Sequence, residues 1–324
     1  MSIGQDDRRS PAKPSVRMRA CIALVAAALV LASVGCVPAS SSVSSSAASD
    51  GPMNSDQSSL PSTPSNEQVP DDDDERGVVV LDENGPRYRD FLMDQTIDVD
   101  GETVHYNVLV PGDLDFDRPI SLFVTLPGYQ GLYFQGIGQN LYTEDFAFTA
   151  QGYQNNMIVL APQLSDWGAA SAEQAIALVE RFQKTYGISP DNTFAEGYSG
   201  GGETLSIVLG MRPDLFSRTL VCSTQWDGDL AVLADAEVPV YMVVGEGDEY
   251  YSSAPLQSAY EELRELYLSK GLPDSRIGQL VTLDVKDATY FTSRGVANQH
   301  GGGSQLFSND TSIMGWLFED SAAH

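Results

Sequence analysis

Six short runs between residues 119 and 286 are apolar almost without interruption, and they narrow what the chain can fold into more than any other feature. They read PISLFVTLPG (119–128), NMIVLAPQL (156–164), NTFAEGYS (192–199), RTLVCSTQ (218–225), VPVYMVVGEGD (238–248) and QLVTLDVK (279–286). A strand with one wet face alternates apolar and polar residues, whereas a continuous run marks a strand buried on both faces, as in a mainly parallel sheet. Helical periodicity separates several of the runs. SAEQAIALVERFQKTYG (171–187) places Ala175, Leu178, Val179 and Phe182 at spacings of three and four, and Gly187 ends it. APLQSAYEELRELYLSKG (254–271) repeats the pattern with Leu256, Tyr260, Leu263, Leu266 and Tyr267, and SIMGWLFED (312–320) closes the chain. Ahead of these, QTIDVDGETVHYNVLVP (95–111) turns at Asp100-Gly101 as a hairpin. Its second run puts Val104, Tyr106, Val108 and Val110 on one face and His105 on the other, toward solvent. The expected fold is α/β, with a mainly parallel, doubly wound sheet and an antiparallel N-terminal hairpin at one edge.

The front of the chain is of another kind. Residues 1–19 carry Arg8, Arg9, Lys13, Arg17 and Arg19 against Asp6 and Asp7, and ACIALVAAALVLASV (20–34) follows. That apolar run is short for a membrane span and suits a secretory segment. It ends at Gly35-Cys36, a layout that resembles a bacterial lipoprotein signal in residues 1–35, with Cys36 lipidated as the mature N-terminus; an ordinary signal peptide or an uncleaved anchor is the alternative. Residues 36–76, rich in Ser, Pro and Asp, have too little apolar surface to offset chain entropy and are expected to be a disordered tether. A tether of that length reaches roughly 35 Å root-mean-square. Residues 77–324 are then expected to form one α/β domain, held by lipid to the outer face of a bacterial membrane or secreted.

With the whole chain at −27, the first 35 residues at +3 and the tether at −7, residues 77–324 hold a net charge near −23. A field of that sign repels nucleic acid and anionic lipid, so the membrane is met only through the lipidated N-terminus, and neutral or cationic substrates are favoured. Of three cysteines, only Cys222 lies in this domain, inside an apolar run, so no disulfide framework or cysteine metal site is expected.

The chemistry centres on GYSGG (197–201). In a chain with 29 glycines the pattern G-x-S-x-G means little by itself. Its context matters more: Ser199 ends a buried strand and GGGETLSIVLG opens a helix directly after it, the strand–turn–helix setting of a nucleophile elbow. Side chains two residues either side of such a serine would collide, which Gly197 and Gly201 avoid. The N–H of Gly200, at the helix start, faces developing negative charge. A serine needs a base, and the chain has three histidines. His105 is on the hairpin and His324 is the terminal residue, leaving His300 in the Gly-rich loop VANQHGGGSQ. The acid is expected at a strand end between the two, at Asp248, with Glu246, Glu249, Asp227 and Asp229 as competitors. The order Ser…Asp…His suits this fold.

With LPGYQG (126–131), GYSGGG (197–202), GEGDEYY (245–251) and HGGG (300–303) in view, residues 77–324 resemble the α/β-hydrolase superfamily, and within it secreted prolyl-oligopeptidase-type and poly(3-hydroxybutyrate)-depolymerase-like esterases. The resemblance implies a Ser199–Asp248–His300 triad and an oxyanion hole from the backbone N–H groups of Gly200 and Tyr129, Pro127 standing where relatives carry histidine. It implies ester hydrolysis through an acyl-enzyme, with no metal and no other cofactor, by a monomer acting on a small-molecule or acylated-polymer substrate. Trp167, Trp226 and Tyr250, on loops leaving the same sheet edge, are candidates to line the substrate pocket or simply to cap the core. Two other readings stay open: a prolyl-oligopeptidase-type peptidase, for which the domain leaves no room for a gating propeller, and a non-catalytic solute-binding lipoprotein.

Overall fold

The structure, a computed structural model, describes residues 78–319. The expected signal segment, Cys36, the tether and His324 lie outside the described residues. The strands are β1 (Arg87–Tyr88), β2 (Phe91–Val99), β3 (Glu102–Leu109), β4 (Ser121–Leu126), β5 (Met157–Gln163), β6 (Thr193–Tyr198), β7 (Arg218–Cys222), β8 (Val240–Gly245) and β9 (Val281–Lys286). They form one sheet in the order β1-β2-β3-β5-β4-β6-β7-β8-β9. β1, β2, β3 and β5 pair antiparallel in turn, and every pairing from β5 through β4 and β6 to β9 is parallel. This is the mainly parallel sheet with an antiparallel N-terminal edge that the apolar runs predict.

The helices are α1 (Gln139–Thr143), α2 (Phe146–Thr149), α3 (Ala169–Tyr186), α4 (Gly200–Met211), α5 (Leu230–Ala236), α6 (Ala254–Ser269), α7 (Asp274–Leu280), α8 (Ala288–Thr292), α9 (Gln299–Ser308) and α10 (Thr311–Phe318). Two apolar clusters show which face each covers. Leu122, Val124, Ala195, Val221, Met242 and Val244 meet Leu178 and Phe182 of α3, Leu205 of α4 and Leu263 of α6. Their neighbours along the same strands, Phe123, Phe194, Leu220, Cys222 and Val243, meet Phe146, Phe307 and the α10 residues Ile313, Met314 and Leu317. Alternate side chains of one strand thus feed two different cores, and each must be apolar, which is why the runs are continuous. Each fully buried Leu, Val or Phe contributes about 1.5–3 kcal/mol. Cys222 is fully buried, in keeping with its apolar surroundings in sequence.

Three details differ from the sequence expectation. The sixth run is split, because Leu280 still belongs to α7, buried against the core, and β9 starts at Val281. His105 does not face open solvent: Tyr133 stacks on its ring at 3.5 Å and its Nδ1 lies 2.8 Å from Asp94 Oδ1, because the 133–135 turn covers that side of the hairpin. The third difference, at His300, concerns the site itself.

Because β4, β6, β7 and β8 are parallel and in register, with Leu126 beside Gly197 and Tyr198 beside Cys222, their C-terminal ends share one edge. The loops after β4, β6 and β8 therefore leave the sheet side by side, the place where ligands bind in open α/β sheets.

Candidate active site

Ser199 sits between β6 and α4 with φ 55° and ψ −124°, a conformation in which few non-glycine residues are found. It is held there from both sides. Its N–H donates to the Cys222 carbonyl at 2.9 Å, and its own carbonyl accepts from Gly202 at 2.9 Å. The crowding that the flanking glycines relieve is measurable: a Cβ on Gly197 would lie 2.4 Å from the Gly201 carbonyl oxygen, and one on Gly201 would lie 2.2 Å from that of Leu126. Gly200 is the first residue of α4, so its N–H is one of the helix's unsatisfied first-turn donors.

His300 is brought to the serine by α9, with its Nε2 3.1 Å from Ser199 Oγ. The Gly-rich stretch expected to be a loop is the first turns of this helix. Three successive glycines disfavour a helix by about 1 kcal/mol each relative to alanine, and tertiary contacts reverse that preference. The Asn298 side chain caps the helix by accepting from the Gly301 N–H. Both oxygens of Glu249 take backbone donors at its start, the Gln299 N–H at 3.1 Å and the His300 N–H at 2.9 Å. The Tyr198 hydroxyl donates to the His300 carbonyl. A Cβ at Gly303 would stand 2.6 Å from that same hydroxyl, so the glycine is required for the approach.

Asp248 Oδ2 lies 2.9 Å from His300 Nδ1. Its other oxygen accepts the N–H groups of Tyr250 at 3.0 Å and Tyr251 at 2.9 Å. Burial would raise this carboxyl, but the imidazole and the two amides outweigh it and hold it below the ordinary aspartate value. The competing acids are occupied elsewhere. Glu246 accepts from the Ala288 N–H, Asp229 caps α5 through the Ala231 N–H, and Asp227 accepts from Gln225. Glu249 serves the α9 N-terminus.

All four residues of the segment Asp248-Glu249-Tyr250-Tyr251 thus converge on the serine and histidine. Tyr250 stacks on the His300 ring at 5.3 Å. The Tyr251 hydroxyl donates to Glu203 Oε1 at 2.5 Å. Burial first, and then that carboxylate, push the Tyr251 phenol far above its usual value, while the adjacent Ser199 hydroxyl pulls the other way.

A cavity of about 290 Å³ opens over the serine, bordered by Tyr129, Glu144, Tyr198, His300 and Ser304 among others. The turn after β4 forms one wall, with the Gly131 N–H donating to the Gly128 carbonyl at 3.0 Å and Tyr129 between them. A Cβ on Gly128 would meet Glu144 Oε1 at 2.7 Å and the Ser199 Cβ at 3.7 Å, so this turn lies directly against the nucleophile. Trp167 supports the site from beside the elbow. Tyr129 stacks on it at 5.8 Å, and its ring sits 2.4 Å from where a Gly200 Cβ would be. Trp226 stands apart: its indole donates to the Gly228 carbonyl at 3.1 Å, and it borders a separate hollow of about 440 Å³ with Asp227 and Asp229.

Two buried carboxyls behind the site have no signal in the sequence. Glu144 accepts from the Gly128 N–H at 3.1 Å, and burial pushes its carboxyl up to about 8 against the pull of that amide. Glu196, three residues before the serine, is fully buried; Thr125 donates to its Oε2 at 2.8 Å and its Oε1 has no partner. Burial, then the proximity of Glu144, raise it well above the ordinary glutamate value.

Residues 164–279, from the end of β5 through the elbow and the Asp248 loop into α7, match the prolyl oligopeptidase family. No curated protein matches the chain in sequence. A thermostable esterase of known structure is similar at 21% identity and a TM-score of 0.56, over 71% of this chain and 63% of its own length, so this chain spans less than two thirds of it. Est1E from Butyrivibrio proteoclasticus is similar at 13% identity and a TM-score of 0.49, over 70% of this chain and 98% of that one. Oligopeptidase B from Leishmania major is similar at 16% identity and a TM-score of 0.45, over 70% of this chain and 37% of that one. The architecture is the α/β-hydrolase fold, and residues 164–279 at its centre are similar to the prolyl oligopeptidase family.

Proposed function

We propose that the protein hydrolyses carboxylic esters of small acyl groups through a Ser199–His300–Asp248 triad. The observation that supports this most is the chain of contacts from Ser199 Oγ to His300 Nε2 at 3.1 Å and from His300 Nδ1 to Asp248 Oδ2 at 2.9 Å, on a strained elbow. Ser199 Oγ attacks the ester carbonyl as its proton passes to His300 Nε2, and Asp248 holds the imidazole with Nδ1 protonated and stabilises the imidazolium. The N–H groups of Gly200 and Tyr129 receive the oxyanion, a donor of this kind being worth roughly 3 kcal/mol. The alcohol leaves with the proton from His300. Water then attacks the acyl-enzyme, its proton going to His300, and His300 passes that proton to Ser199 Oγ as the acid departs. The rim residues Tyr129 and Tyr250, 64% and 74% exposed, give a ring-bearing leaving group or an acylated polymer two aromatic faces to rest on.

Attachment by a lipidated Cys36 and a tether through residue 76 places this site outside the cell, within reach of extracellular esters. A monomer suffices, since every group named above comes from one chain. The prolyl oligopeptidase family segment favours a second reading, cleavage of aminoacyl or prolyl amides. Rates on acetyl, butyryl and longer esters beside a proline-linked aminoacyl amide separate the two. Turnover highest on short soluble esters, without a jump at the micelle threshold, is the expected result. A strong preference for the amide would replace this reading with the peptidase.

A further inference from the structure

Of the groups around the site, Glu144 is the one that the triad chemistry leaves without a task. It borders the cavity over Ser199 and is 9% exposed, at the end of α1, sixteen residues after the amide it binds. That amide belongs to Gly128, and the next amide along, on Tyr129, is the one assigned to the oxyanion. Gly128 packs closely against both Glu144 and the elbow: a Cβ on it would lie 2.7 Å from Glu144 Oε1 and 3.1 Å from the Tyr198 carbonyl oxygen. The turn therefore rests against the elbow, and its first amide is held by the Glu144 side chain.

Resting on the serine-hydrolase reading above, we propose that Glu144 is a positioning residue of the oxyanion hole, its carboxyl holding Gly128 so that the Tyr129 N–H stays aimed at the carbonyl oxygen above Ser199. The groups that face Glu144 explain why it serves as an uncharged acid. From β6 come the Glu196 carboxyl and the Tyr198 phenol, from β7 the Cys222 thiol, and across the cavity stand the Tyr129 phenol and the His300 imidazole. No fixed cation is among them, and a charge buried there without a partner is costly. An uncharged carboxyl accepts the Gly128 N–H without placing negative charge beside the oxygen that becomes an oxyanion. Once ionised, it opposes that oxyanion across the cavity. With the carboxyl pushed up to about 8, this opposition begins just above neutral pH.

The test is the pH profile of kcat and KM from pH 6 to 10 on a soluble acetyl ester, for wild type, Glu144→Gln and Glu144→Ala. Labelling of Ser199 by a fluorophosphonate, located by mass spectrometry, is followed alongside. Wild-type kcat is expected to fall to a lower plateau as pH rises through about 8. Glu144→Gln keeps an acceptor for Gly128 and cannot ionise, so this fall should disappear. Glu144→Ala should lower kcat roughly 10- to 100-fold with little change in KM, since a donor displaced by a fraction of an ångström is missed mainly in the transition state. Faster amide hydrogen exchange at Gly128 in that variant would accompany it. A Glu144→Gln profile that keeps the alkaline fall, or a Glu144→Ala variant altered only in KM, overturns the proposal even if Glu144→Ala folds poorly. A wild type that neither hydrolyses the ester nor takes label at Ser199 would remove the serine-hydrolase reading itself, and this proposal with it.

Discussion

Replacing Glu196 with glutamine should make the fold less sensitive to pH, by an amount that follows from its burial. The carboxyl is fully buried, with Thr125 on one oxygen and no partner on the other. Folded, burial and the nearby Glu144 hold it well above the ordinary value of 4.5 near which it ionises in the unfolded chain. Above that value the native state therefore holds one more proton than the unfolded chain. Its contribution to stability is fully present below pH 4.5 and is lost as pH rises toward the raised folded value. The loss is about 1.4 kcal/mol per pH unit for as long as the folded carboxyl is protonated and the unfolded one is not. Glu144 adds a slope of the same sign that ends near its folded value of about 8. Asp248 and Asp310, held below their ordinary values, act in the opposite sense, but only as pH falls below about 4. Glutamine fills the same space, still accepts from Thr125 and cannot ionise. Urea unfolding at pH 5, 6 and 7 should give a Glu196→Gln line shallower than wild type by about 1.4 kcal/mol per unit. The double variant with Glu144→Gln should be shallower again. Parallel lines for wild type and Glu196→Gln would refute the claim that this carboxyl is buried uncharged.

Three further outcomes are expected. Asp248→Asn presents a donor to His300 and favours the wrong tautomer, so kcat should fall on the order of 10⁴-fold, while Asp227→Asn and Glu246→Gln stay mild in the same assay. Glu249→Gln leaves one α9 amide without its acceptor; kcat should fall severalfold and the thermal midpoint should drop by an amount consistent with a lost helix cap of about 1 kcal/mol. Cys36→Ser should move the protein from the membrane fraction to the soluble one, as followed by fractionation and metabolic lipid labelling.

Much of the architecture was legible because its causes are local. A strand covered on both faces must be apolar at every position, so the runs around Val124, Ala195 and Val243 identified themselves, and parallel order then gathered their C-terminal ends. The Ser199, Asp248 and His300 positions followed from the elbow context and from having only three histidines to weigh. What escaped was decided by juxtaposition. Nothing near Glu144 in sequence indicates that its acceptor role lies with Gly128, and nothing near Glu249 points to the His300 amide fifty-one residues away. Glycines 301–303 read as a loop because propensity speaks for one; the Asn298 and Glu249 caps and the Tyr198 hydroxyl at Gly303 overrule it. Trp226 leaves the sheet at the same edge as the other loops, yet its indole turns to its own Gly228 carbonyl and into the neighbouring hollow, a choice that no spacing encodes.

Ser199 is proposed as the nucleophile and His300 as its base. Steady-state hydrolysis of an acetyl ester by wild type, Ser199→Ala, His300→Ala and the double variant tests it most directly. Each single change should cost on the order of 10⁶-fold in kcat, and the double change little more, because the two residues act as one unit. A Ser199→Ala enzyme that keeps most of its activity, or losses that simply multiply in the double variant, would contradict the account.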